Sequence, residues 1–100
     1  MKKASAVETL LQKAPQFAPA WKAKAEMVDD DTRQLALLEK GLAADPDAET
    51  YGYLRINQAL ALSRRGERAK AIAILGTLAL DPASPIDVEA MAKQTLATNF

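Results

Sequence analysis

Three leucines are each followed four residues later by a proline: Leu11 and Pro15, Leu42 and Pro46, Leu78 and Pro82. Proline cannot donate into a helix ladder and turns its predecessor away from helical angles, so each pair marks a helix end. The segments Leu42-Ala43-Ala44-Asp45-Pro46 and Leu78-Ala79-Leu80-Asp81-Pro82 agree at four of five positions. The prolines stand 31 and then 36 residues apart, a spacing that brackets the period of about 34 found in arrays of helical hairpins. Helices are therefore expected to stop near residues 13, 44 and 80.

Start signals lie between these stops. Ser5 with Glu8, Asp31 with Gln34, and Ser84 followed by Pro85 with Asp87 resemble N-caps with a partner three residues on, and Asp47 is a further cap. The spacing predicts helices over 5–13, 18–29, 32–44, 48–64, 67–80 and 85–98. Composition agrees, because 21 alanines and 13 leucines favour helix, while valine, isoleucine, threonine and tyrosine are too sparse for a sheet. Val88, Met91, Ala92, Thr95 and Leu96 form one face of the last helix, and Glu89 and Lys93 make a favourable i, i+4 pair on another. The expected fold is all-α, six antiparallel helices in a single domain over 1–100.

Trp21 lies six residues after Pro15 and is followed by Ala25 and Val28, an order that resembles the first helix of a tetratricopeptide repeat. Counting equally from Pro82 reaches Val88, Met91, Ala92 and Thr95, in the same register. In the middle repeat Ala59, Leu62 and Gly66 fit the small residue, the large residue and the inter-helix glycine, and Ala69 to Ala71 begin the second helix. The chain departs from the pattern at Lys24, where an apolar residue is usual, at the shortened hairpin around Asp29-Asp30-Asp31, and in three extra residues between Pro46 and Ala59. The resemblance implies a right-handed solenoid of stacked hairpins that starts on the second helix of one hairpin, as an excerpt of a longer array or a small protein with helical caps.

Composition narrows the function. Thirteen basic and thirteen acidic side chains cancel, so no net field draws the chain to phosphates or an anionic leaflet, and neither nucleic acid nor membrane insertion is expected. With no cysteine and no histidine, thiolate chemistry, the usual neutral-pH base and the commonest metal ligands are missing. Asp29-Asp30-Asp31 lacks the spaced oxygens, glycine and distal glutamate of a calcium loop and reads as a turn with a helix cap. Glu26 has no nucleophile or converging group beside it, Trp21 reads as a packing residue, and Arg64-Arg65, near Arg55 and Arg68, suit a helix C-terminus. No catalytic residue, cofactor or metal is expected. The longest apolar run, Ala71 to Leu80, covers about half a bilayer span. The Met1-Lys2-Lys3 start lacks the apolar run of a leader, so a cytoplasmic location is expected, with the periplasm open if the chain is an excerpt.

In the family that the chain resembles, the first helices of successive hairpins line a concave groove that holds a peptide. The register carries Lys22, Glu26 and Asp30 into it from the first hairpin. Tyr53, Ile56, Asn57, Leu60 and Arg64 follow from the second, and Glu89 and Lys93 from the last helix. Members that clamp a chaperone-tail carboxylate use a lysine with an asparagine four residues on; Lys22 is followed by Glu26, which implies no such binding. The expected role is a module for a protein or peptide partner. The rival is a structural or self-associating scaffold, with Ile74 or Leu75 at the contact because residues 71–80 are apolar nearly all round.

Overall fold

The computed structural model describes the backbone of residues 2–100 and the side chains of residues 6–100. It holds six helices: α1 (Lys2–Lys13), α2 (Ala18–Glu26), α3 (Asp31–Ala43), α4 (Ala48–Arg64), α5 (Arg68–Leu80) and α6 (Ile86–Asn99), with no strand among the described residues. The stops fall where the prolines require. At Asp45 the chain leaves α3 through a left-handed residue, φ 54°, a conformation that aspartate tolerates better than most side chains. Asp81, in the otherwise matching segment, is extended instead, so one short motif ends two helices in two ways.

The starts are less uniform. Asp47 caps α4 by accepting from the Thr50 amide at 2.7 Å. The cap of α3 is Asp30, which accepts from the Thr32 amide, and not Asp31 as expected. Asp31 is thereby released to pair with Arg64 at 2.8 Å. Ser84 caps nothing, since its hydroxyl donates to the Leu78 carbonyl at 2.8 Å and Pro85 stands at the N-cap. Helix α1 already runs from Lys2, so Ser5 lies inside it; its side chain is outside the described residues. Between α4 and α5 the Gly66 amide donates to Ser63 and the Glu67 amide to Leu62, the paired bonds of a Schellman turn, with Gly66 at φ 85°.

Each helix packs on its chain neighbours, and α2 also touches α4 and α4 touches α6. Among the described residues, helices α1, α3 and α5 do not touch one another. The result is two layers, a continuous row of α2, α4 and α6 and a set of separated helices beside it. Three apolar clusters run along the stack, centred on Val7, Leu11 and Ala20, then Ala25, Leu38 and Leu54, then Ile56, Ala71, Leu75 and Val88. Leu38, Leu54, Leu75 and Val88 are the largest fully buried side chains, each worth about 1.5–3 kcal/mol. Exposed ion pairs such as Lys70 with Glu67 contribute ~0–1 kcal/mol, so packing and not charge holds the stack.

Two glycines set how near the helices come. A Cβ on Gly41 would lie 3.1 Å from Trp21 and Leu54, and one on Gly52 would overlap both methyls of Val88. The row from α4 to α6 is therefore built on backbone against side chain. Lys24 also finds its explanation. Its ammonium pairs with Glu8 of α1 at 2.8 Å and lies over the Trp21 ring, so its stem covers the α1–α2 seam where an apolar residue was expected.

Candidate functional site

The residues on the exposed side of the α2–α4–α6 row form one polar seam. Lys22 Nζ lies 2.9 Å from Glu26 Oε2, and Asn57 Nδ2 of α4 donates to the same oxygen at 3.0 Å. The Lys22 ammonium also lies 5.8 Å from the centroid of the Tyr53 ring. The Tyr53 hydroxyl in turn donates to Asp87 Oδ2 of α6 at 3.1 Å. The seam thus crosses all three helices, and each link joins residues more than 30 positions apart or one helical turn apart.

Asp87 meets a second carboxyl, Glu49 of α4. Their hydrogen bond and mutual repulsion hold Glu49 above the ordinary glutamate range, and the bond from Glu49 holds Asp87 below the ordinary aspartate range. The bond to Asp87 likewise raises the Tyr53 phenol. Neither acid was among the expected site residues. The proline register held the signal, since Glu49 stands three residues after Pro46 and Asp87 five after Pro82, each in the first turn of its helix.

Of the expected groove residues, Lys22, Glu26, Tyr53 and Asn57 converge in this seam. Leu60 is half-buried and packs against the third cluster. Ile56 does not line the surface: it is 3% exposed and belongs to the core, on the side of α4 that carries the buried Gly52 and Ala59. Asp30 is engaged as the α3 cap. Arg64 turns to α3, where it bonds Asp31 at 2.8 Å and Gln34 at 2.6 Å. Glu89 and Lys93 bond each other at 2.8 Å along α6. Leu75, expected at an outer contact, is fully buried against α4 and α6, while Ile74 is half-buried; the large exposed apolar side chains of α5 are Ile72 and Leu80.

The seam is not a pit. The hollows in the molecule lie elsewhere: one of ≈ 380 Å³ beside Trp21 and Lys40, one of ≈ 210 Å³ between the α1–α2 and α3–α4 turns, and one of ≈ 210 Å³ between α4 and the α5–α6 turn. Among the described residues no group of three or more acidic, cysteine or histidine side chains could hold a metal ion, and no helix is long and apolar enough to cross a membrane. No family model, curated protein or solved structure matches the chain.

Proposed function

We propose that the protein is a tetratricopeptide-like solenoid that acts by binding, taking a peptide or partner helix along the α2–α4–α6 row. The observation that carries this reading is the seam itself, in which Lys22, Glu26, Asn57 and Tyr53 meet across adjacent helices on an open surface. Where one layer is continuous and the other is separated, the stack bends toward the continuous layer, and a shallow concave surface suits an extended segment more than a small molecule. Affinity would come from Tyr53 and Leu60, and specificity from the charges beside them.

The Lys22 ammonium and the Asn57 amide are already held by the chain's own carboxylate, Glu26. A free C-terminal carboxylate is therefore not the ligand; submicromolar binding of a chaperone-type tail that vanishes in Lys22→Ala would refute this. The general reading is tested by affinity capture followed by titration of the recovered partner. Binding lost in Tyr53→Ala and Lys22→Ala, with helix content unchanged by circular dichroism, supports it, and binding indifferent to both overturns it.

A scaffold that associates with itself is the second reading, favoured by Leu80 and Ile86, which are 82% and 86% exposed. Leu80→Glu is the informative variant, because Leu75→Glu would place a charge in the core. A concentration-independent monomer by light scattering, the same in Leu80→Glu, rules self-association out.

A further inference from the structure

The hollow between α4 and the α5–α6 turn is walled by Ala48, Tyr51, Gly52, Leu78 and Val88. Two of its three side chains with polar atoms are engaged within the chain: Asp81 accepts from the Ala83 amide at 2.9 Å, and Ser84 donates to the Leu78 carbonyl. What the hollow offers a visitor is apolar. Tyr51 stands at its side 44% exposed, and its hydroxyl has no hydrogen-bond partner among the described residues, the situation of an aromatic ring prepared for an interface.

Charge identifies the visitor. From Gly41 to Leu54 the chain carries Asp45, Asp47 and Glu49 and no lysine or arginine; from Ala71 to Ala92 it carries Asp81, Asp87 and Glu89 and again none. These two segments supply the walls: Asp81 lines the hollow itself, and Asp47, Glu49 and Asp87 stand next in sequence to its lining residues Ala48 and Val88, while Glu89 is taken up by Lys93 at 2.8 Å. Glu49 and Asp87 are held against each other across α4 and α6, and no cation in either segment relieves them. A phosphate backbone or anionic lipid is repelled here, and a lysine or arginine is drawn in.

We propose that this hollow is a docking site, separate from the α2–α4–α6 seam, for a basic segment of a partner protein that inserts an apolar side chain between Tyr51 and Val88 while its flanking lysines or arginines meet the surrounding carboxylates. The site reads a mixed pattern, so neither charge nor apolarity suffices alone.

The test uses a terminally blocked peptide of alternating lysine and leucine, with two controls in which serine replaces each leucine or glutamate replaces each lysine. Amide shifts of the isotope-labelled protein are followed during titration. The expected result is shifts centred on Ala48, Tyr51, Gly52, Ser84 and Val88 for the lysine–leucine peptide alone, weakening as salt is added. Ala48→Arg and Tyr51→Ser, both at exposed positions, should each weaken binding about tenfold, ~1.4 kcal/mol, with helix content intact, and Lys22→Ala should not. Equal binding of the serine peptide would reduce the site to diffuse charge attraction and overturn the proposal. So would shifts centred on Lys22 and Asn57, or none at the hollow. Because Lys22→Ala reports on the seam and Ala48→Arg on the hollow, failure of one reading is distinguishable from failure of the other.

Discussion

A methyl group added at Gly52 would meet both methyl carbons of Val88, whereas one added at Gly76 meets nothing within 4 Å. The two positions are both glycine within a helix, yet they should respond to alanine with opposite sign. Gly52→Ala forces α4 from α6 and should cost about 1–3 kcal/mol, as overpacking does. Gly76→Ala removes backbone entropy from the unfolded chain without a clash and should add about 0.5–1 kcal/mol. Thermal unfolding followed by circular dichroism separates them, since ~1 kcal/mol moves the midpoint of a domain this size by about 4–8 °C. A Gly52→Ala midpoint at or above that of the parent would show that the α4–α6 approach is not tight. Helical register alone does not distinguish these glycines, because the difference lies in a side chain 36 positions away. Glu26 is a third instructive residue: replacing it with asparagine removes the carboxylate that Lys22 and Asn57 hold, and Glu26→Asn should gain affinity for a blocked peptide with a free C-terminal carboxylate, read by fluorescence anisotropy.

At the scale of helices, the pairing of α4 with α6 carries a pH dependence. The Glu49 carboxyl is raised by Asp87, so its contribution is present at low pH and is lost as pH rises through the raised value. Asp87, Asp47 and Glu67 are lowered by hydrogen bonds to Glu49, Thr50 and Lys70 respectively, so their contributions are lost as pH falls through the lowered values. Glu49→Gln keeps a donor toward Asp87 and removes the repulsion. It should therefore be more stable than the parent at neutral pH, with the gain shrinking below the ordinary glutamate range; a gain of the same size at both, by urea unfolding, contradicts the pairing. The ends of these helices were legible to different degrees for physical reasons. Proline acts on its own neighbours, so the stops at Lys13, Ala43 and Leu80 could be read from sequence. A cap is a competition among adjacent oxygens, and in Asp29-Asp30-Asp31 it is decided by Arg64 of α4, which draws Asp31 away and also bonds Gln34, leaving Asp30 as the cap. Ser84 was lost to the Leu78 carbonyl in the same way.

For the molecule as a whole, stability is not evenly spread. Among the described residues, helix α1 touches α2 alone and contributes Val7 and Leu11 to the smallest cluster, whereas α4 touches α2, α3, α5 and α6. Amide hydrogen exchange should find α1 opening first and α4 with α5 last. Protection in α1 equal to that in α4 would mean the stack unfolds as one unit. The seam was partly foreseeable because Lys22, Glu26, Tyr53 and Asn57 follow from counting along the repeat. Ile56 and Arg64 do not, because Ile56 stands on the side of α4 that carries the buried Gly52 and Ala59, and the long Arg64 side chain is drawn to Asp31 and Gln34 of α3. The hollow at the α5–α6 turn was not foreseeable at all, since it exists only where that turn comes against the start of α4, about 30 residues away.

The separation of α1, α3 and α5 leaves the curvature of the molecule to the way each one packs on the row. The row of α2, α4 and α6 behaves as a strip of fixed length, stiffened by Gly52 against Val88, and the outer helices ride on it like pads on a strap. Because α3 packs on both α2 and α4, and α5 on both α4 and α6, each of these pads spans a joint of the strap as a wedge does, and a change of curvature must loosen the pad from one of its two supports.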